Sequence, residues 1–198
     1  MKIAGVILAA GKSSRMGQNK LLLKYNDHTV IEETVDQLLN SNVGDVIVVT
    51  GFQNQRIKEL LAKYPADRIT IVYNSNYRLG RAESIKCALR QIADQADAVL
   101  FMVGDKPQVR CELINRAIDR FNKNKPAILY VTTPAGRGHP IMFSRKLFGA
   151  LRSLNGDCVG DELIARYKND VVQLEDPMVQ VDIDTAQDYR RLTKKRRS

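Results

Sequence analysis

Three cations crowd one short stretch, Gly11-Lys12-Ser13-Ser14-Arg15-Met16-Gly17-Gln18-Asn19-Lys20. Lys12, Arg15 and Lys20 on a backbone of small residues suit a polyphosphate. Gly11 and Gly17 lack a Cβ, so backbone N–H groups can approach phosphate oxygens, and the side chains add positive charge. The spacing is neither G-x-x-x-x-G-K-[ST] nor G-x-G-x-x-G: the two glycines are six apart and Lys20 lies three beyond. A polar connection whose charges are merely solvated would look similar. The length of this one, directly after the apolar run Lys2 to Ala10, favours phosphate binding.

The second group able to do chemistry is acidic. Asp105 follows the apolar run Ala98 to Val103, between Gly104 and the pair Lys106-Pro107. Pro107 biases Lys106 to an extended backbone, which directs the carboxylate. Near the end of the chain stands Asp182-Ile183-Asp184-Thr185-Ala186-Gln187-Asp188. If Val179 to Asp182 is a strand, alternation puts Asp182 and Asp184 on one side. A carboxylate from this cluster could then meet Asp105. Two hard oxygen ligands beside a phosphate loop describe a magnesium site, with Asp105 and Asp184 as the metal ligands. Read alone, Asp105 would be a turn former and Asp184 a helix cap one residue early.

These residues need a scaffold that brings them to one edge. Strands are expected at Lys2 to Ala10, Asp45 to Thr50, Arg68 to Tyr73, Ala98 to Val103 and Ile128 to Val131, with short ones at Val171 to Leu174 and Val179 to Asp182. Leu21 to Tyr25 and Pro140 to Phe143 read as extended, and Thr132 to His139 as a loop. Helices are expected from Thr29, where Thr29-Val30-Ile31-Glu32 has capping-box spacing, and after Asn54. Others are Arg81 to Ala93, Cys111 to Asn122, Arg145 to Leu151, Gly160 to Tyr167, and one capped by Thr185. Alternating strands and helices predict an α/β fold: a Rossmann-like three-layer sandwich on a mostly parallel sheet. Ligands on such sheets bind beyond the carboxyl ends of the strands. The loops at Ala10, Gly51, Asn74 and Gly104 should open there. One domain over 1–193 with a basic tail at 194–198 is expected.

Composition narrows the class. With 198 residues, 44% hydrophobic and 27% charged, the chain can bury a full core for one α/β domain. No apolar run reaches the length of a membrane span, and no signal-like segment precedes the first strand, so a cytoplasmic protein without a membrane partner is expected. Cys87, Cys111 and Cys158 form no C-x-x-C pair, and His28 and His139 are far apart. Zinc and redox motifs are absent. The net charge of +9 fits a surface around an anionic ligand or a nucleic-acid binder. Part of the excess lies in Lys194-Lys195-Arg196-Arg197, and the chain has no Trp and only 6% aromatics, which disfavours nucleic acid.

The run Leu8-Ala9-Ala10-Gly11-Lys12-Ser13-Ser14-Arg15-Met16-Gly17, with Lys20, resembles the signature loop of nucleotidyltransferases with the nucleotide-diphospho-sugar transferase fold. Among these, the chain is similar to the molybdenum cofactor cytidylyltransferase family. Further matches are Asn74…Gly80…Ser84, Gly104-Asp105-x-Pro107, Gly138-His139-Pro140, Leu154-Asn155-Gly156-Asp157 and Asp182-Ile183-Asp184-Thr185…Asp188-Tyr189. They run from end to end of the sequence. The resemblance implies transfer of a nucleoside monophosphate to a phosphorylated acceptor, molybdopterin, with release of pyrophosphate. It implies Arg15, Lys20 and Asp105 as catalytic residues and Mg²⁺ on Asp105 and Asp184. The nucleotide would lie against Leu8, Ala9, Ala10, Gly11, Lys12, Ser13, Met16, Gly17 and Asn74, with the Ala9–Gly11 backbone, Gly80 and Ser84 lining the base and ribose. Gly138, His139 and Asp157 would face the acceptor. Leu-Ala-Ala-Gly favours a pyrimidine nucleotide, hence CTP, and a molybdoenzyme would be the downstream partner.

The sequence also departs from that family. Lys106 replaces the usual Gln or Met, Arg81 a Met, and Val159 and Asp161 stand where a Gly and a basic residue are usual. These bear on the acceptor. Alternatives are the same chemistry with another triphosphate or acceptor, a nucleotide-binding molybdoenzyme maturation factor without turnover, and a basic nucleic-acid binder.

Overall fold

The computed structural model describes residues 1–92, 96–157, 160–178 and 180–194. The chain starts with β1 (Ile3–Ala9), a small hairpin of β2 (Lys24–Tyr25) and β3 (His28–Thr29), and α1 (Val30–Leu39). There follow β4 (Val46–Thr50), α2 (Asn54–Leu61), β5 (Ile69–Tyr73), α3 (Arg81–Gln91), β6 (Ala98–Val103) and α4 (Cys111–Asn124). The second half holds β7 (Ile128–Thr133), β8 (Gly136–Ser144), α5 (Phe148–Arg152), α6 (Asp161–Arg166), β9 (Val171–Glu175) and α7 (Ala186–Lys194).

Seven strands form one sheet in the order β5-β4-β1-β6-β8-β7-β9. All pairings are parallel except those of β8, which runs against both β6 and β7. Period-two alternation divides β1 between two cores. Ile3, Ile7 and Ala9 pack with α1 and α4; Ala4 and Val6 face α3 and α5. This is the strand pattern expected when helices cover both faces of a sheet. α1 starts with the capping box anticipated: Glu32 N–H donates to Thr29 Oγ1 and the Thr29 N–H to Glu32 Oε2.

Two expectations need correction. Thr132 to His139 is not a loop but the tip of the β7–β8 hairpin. The turn is confined to Pro134 and Ala135, and Gly136 relaxes it at φ 108°. Gln180 to Asp182 forms no strand, and Val179 lies outside the described residues. Asp182 and Asp184 nonetheless both point away from the core, because Ile183 between them is fully buried. Element ends also differ. Part of the Leu21 to Tyr25 run is a 3₁₀ turn over Lys20–Leu22, and α3 ends at Gln91, with Ala93 outside the described residues. Cys158, Val159 and residues 195–198 also lie outside them. No helix among the described residues is long and apolar enough to cross a membrane.

Candidate active site

Because β1, β4, β5 and β6 are parallel, the loops after them open on one edge, as anticipated. The loop after β1 is a fixed object. Ser13 sits in the left-handed region at φ 52°, Ser14–Met16 makes a 3₁₀ turn, and Gly17 reverses the chain at φ 70°. Ser13 Oγ accepts the Lys20 N–H at 3.3 Å. Buried Asn19 caps the next turn by accepting the Leu21 N–H at 3.1 Å, and Leu21 is buried in the core. Lys20 therefore leaves a backbone that is pinned on both sides.

Asp105 follows β6. Gly104 beside it is packed so closely that a Cβ would stand 3.0 Å from Ile31 Cδ1 and 3.2 Å from Leu21 Cδ2. Asp184 arrives from the other end of the chain, on the lead-in to α7. It is not that helix's cap. Thr185 Oγ1 accepts the Asp188 N–H at 3.2 Å, and Asp188 accepts the Thr185 N–H at 2.9 Å. α7 is itself tied down: the Tyr189 hydroxyl donates to the Lys24 carbonyl at 2.5 Å, and Leu192 is buried.

These placements bring cations and carboxylates together. Lys20 Nζ lies 2.5 Å from Asp105 Oδ2 and 3.2 Å from Asp184 Oδ1. Arg15 Nη1 lies 2.8 Å from Asp184 Oδ2. Burial works against the Lys20 ammonium, but the two carboxylates outweigh it and raise its pKa above the usual lysine range. A single positive centre shared by two carboxylates from opposite ends of the chain is a position a divalent cation fits. Among the described residues no group of three or more His, Cys, Asp or Glu could hold a metal. A hard cation on this pair would need oxygens from a phosphate or water to complete its shell, as magnesium commonly does.

A cavity of about 260 Å³ adjoins the pair. Leu8, Ala9, Ala10, Gly11, Ser13 and Lys20 line it, with Asp105 from the loop after β6. Gly80, Ser84 and Asp157 line it too. A Cβ on Gly11 would meet no protein atom within 4 Å, so that backbone is open to a ligand. Asn74 is not part of the lining but, buried, donates to Ser84 Oγ at 3.0 Å and so fixes a lining side chain. Gly80, at φ 112°, lies so near the Gly156 carbonyl that a Cβ would stand 2.7 Å from it. That contact lets the Ala82 N–H reach Gly156 O at 2.9 Å and the Arg81 N–H reach Asp157 Oδ1 at 2.8 Å.

The other side of the site is less open. Gly138 and His139 are not part of the cavity lining. Gly138 is buried against the Gln180 amide, and the His139 backbone N–H and carbonyl both bond to that amide at 2.8 and 2.6 Å. Burial depresses the His139 imidazole to a pKa of about 4, although the Phe101 carbonyl beside it opposes the shift. Lys12, Arg15, Met16, Gly17 and Asp184 also stand outside the lining, with Lys12 exposed.

Comparison with known proteins identifies the group to which this site belongs. A family model described as the MobA-like NTP transferase domain matches residues 5–171. The chain belongs to that family. This MobA-like NTP transferase is 28% identical to the molybdenum cofactor cytidylyltransferase of Escherichia coli, over 93% of this chain and 92% of the relative. It is 32% identical to the bifunctional protein GlmU of Francisella tularensis, over 78% of this chain but only 33% of that protein. The crystal structure of Rv0371c from Mycobacterium tuberculosis superposes with a TM-score of 0.87 at 33% identity, each chain covered to 98%. A manganese complex of Rv0371c superposes at 0.81 and 30% identity, covering 98% of this chain and 99% of that one. The fold is that of the nucleotide-diphospho-sugar transferases, and the protein is a nucleotidyltransferase.

Several residues of the transferase site were not legible in the sequence as site residues. Tyr77 and Arg81, the latter noted only as a departure from the family, line the cavity with Gly80 between them in the chain. Lys106, noted only as a departure from the family, is buried and bonded to the segment carrying Asp184. Gln108 and Gln180 join it there. A buried lysine between Asp and Pro reads like any loop lysine, so no local signal marks it. The departure at Asp161 has a partner in Arg137.

Proposed function

We propose that the protein transfers CMP from CTP to a phosphorylated acceptor, molybdopterin, using Mg²⁺ in the cytoplasm. The observation that carries this reading is the Lys20 ammonium shared by Asp105 and Asp184 beside a backbone-lined cavity. The likeness to the Escherichia coli cytidylyltransferase over nearly its whole length supports the nucleotide and the acceptor. The manganese complex of the mycobacterial structure supports a divalent ion.

In the reaction, an acceptor phosphate oxygen forms a bond to the α-phosphorus while the bond to the β-phosphate oxygen breaks. Pyrophosphate takes the electron pair. The attacking phosphate is already ionised at neutral pH, with a second pKa near ~6, so no side chain has to remove a proton. The protein's work is alignment and charge neutralisation. Mg²⁺ on Asp105 and Asp184 would supply positive charge at the α-phosphate and the incoming oxygen. Arg15 and Lys20 hold the β- and γ-phosphates and stabilise the leaving pyrophosphate. In the free protein they are paired with the carboxylates, so nucleotide and metal binding exchange one set of ion pairs for another. Backbone from Ala9 to Gly11 and the Gly80–Ser84 wall hold the base and ribose, with Asn74 fixing the Ser84 hydroxyl. Asp157 shapes the acceptor side through its bond to the first turn of α3. Gly138 and His139 hold that side through Gln180.

Calorimetric titration with CTP, GTP, ATP and UTP, each with Mg²⁺, tests the reading. Tightest binding of CTP supports it, followed by pyrophosphate release on adding molybdopterin. Metal-dependent binding of none of the four would overturn the reading. Tightest binding of another triphosphate would keep the chemistry and change the base.

A further inference from the structure

The segment that delivers Asp184 to the site has no strand pairing to hold it. Five side-chain bonds do this instead, two of them from Lys106. Lys106 Nζ donates to the Gln180 carbonyl at 3.1 Å and pairs with Asp182 Oδ1 at 2.8 Å. Gln108 Nε2 donates to the Val181 carbonyl at 2.7 Å. The Gln180 amide bonds the His139 backbone. The Lys106 side chain is only 7% exposed, whereas that of Asp182 is 65% exposed. A lysine taken this far out of water needs acceptors all around it. Here both acceptors belong to residues just before Asp184.

We infer that Lys106 is a positioning residue for the metal pair: its ammonium holds the 180–182 backbone so that the Asp184 carboxylate meets Asp105. The chain thus links the two ligands twice. Asp105 is the residue before Lys106, and Asp184 follows the segment that Lys106 grips. A shift of the carboxyl-terminal segment is resisted at the point where the other ligand is anchored. A neutral Gln or Met in place of Lys106 would leave the Gln180 carbonyl and Asp182 carboxylate with weaker donors or none. This inference rests on the proposed metal role of Asp105 and Asp184. Partners that orient metal ligands commonly affect metal affinity by roughly 10–100-fold.

The test is Mn²⁺ binding to the intact protein, followed by electron paramagnetic resonance of the free ion, with and without α,β-methylene CTP. Lys106→Met is expected to weaken Mn²⁺ binding about tenfold or more, and Asp182→Asn by a smaller factor, with the Asp182 variant melting as the wild type does. Asp182 is exposed, so its variant folds even if the buried lysine proves necessary for folding. Wild-type Mn²⁺ affinity in both variants, or in Asp182→Asn alone if Lys106→Met does not fold, would overturn the inference while sparing the metal site. Failure of the wild type to bind Mn²⁺ under either condition would overturn the metal site and this inference with it.

Discussion

The ammonium of Lys20 is held 2.5 Å from the Asp105 carboxylate, and its remaining charge is spent on Asp184. A residue proposed to hold phosphate is therefore occupied, in the free protein, by the groups proposed to hold metal. If those carboxylates hold metal as proposed, Lys20 would compete with a divalent cation when no nucleotide is present. Lys20→Met should bind Mn²⁺ alone more tightly than the wild type, seen as a larger metal-induced rise in melting temperature. The same variant should lose at least tenfold in turnover, since a charge-assisted hydrogen bond contributes roughly 1.5–3 kcal/mol. An unchanged metal response would show that Lys20 does not compete for the site.

Asp184 and Thr185 are neighbours with separable duties. Thr185 caps α7, whereas Asp184 faces Arg15 and Lys20. Thr185→Ala should cost about 1 kcal/mol in urea unfolding and leave most activity. Asp184→Asn should change stability little, because ion pairs at a partly exposed carboxylate contribute little. It should lower turnover by about a hundredfold, in line with the loss of the charge of a proposed metal ligand.

Gly80 sits at φ 112° with the Gly156 carbonyl where a Cβ would go. Gly80→Ala should destabilise the protein by more than about 1 kcal/mol, since both backbone conformation and space forbid the methyl group. Affinity for the triphosphate should fall with it, measured by calorimetry below the melting transition. Gly11→Ala, where a Cβ meets no protein atom, should leave stability nearly unchanged and weaken only nucleotide binding.

His139 carries the sign of its burial. Its pKa is lowered from 6.5 to about 4, so between those values the unfolded chain binds the extra proton. Stability is then highest above pH 6.5, declines as pH falls toward 4 and levels off below. His139→Gln should flatten that part of the stability curve, read from urea midpoints at pH 7 and pH 4.5. At neutral pH the imidazole is uncharged. The acceptor dependence of turnover between pH 6 and 8 should therefore show no step from His139.

Much of this was open to reading in the residues themselves. β-branched runs bounded by glycine and polar turns are strands in isolation as well as in the fold, so β1, β4, β5 and β6 were legible, and with them the common edge. The Thr29–Glu32 cap needs only its own four residues. Lys20, Asp105 and Asp184 could be picked out because a phosphate loop and two carboxylates are the right charges for one reaction. What only the tertiary structure decided was how they meet. The antiparallel direction of β8 and the tightness of its hairpin depend on partners far away in sequence. Gln180 to Asp182 looked like a strand, yet side chains from Lys106 and Gln108 satisfy its carbonyls instead. Local pattern records which residues are apolar or charged; it does not record which distant donor will answer a given acceptor. For that reason the chain announces its chemistry in twenty residues but reveals only when folded that a buried lysine grips the strand-less segment carrying the second carboxylate.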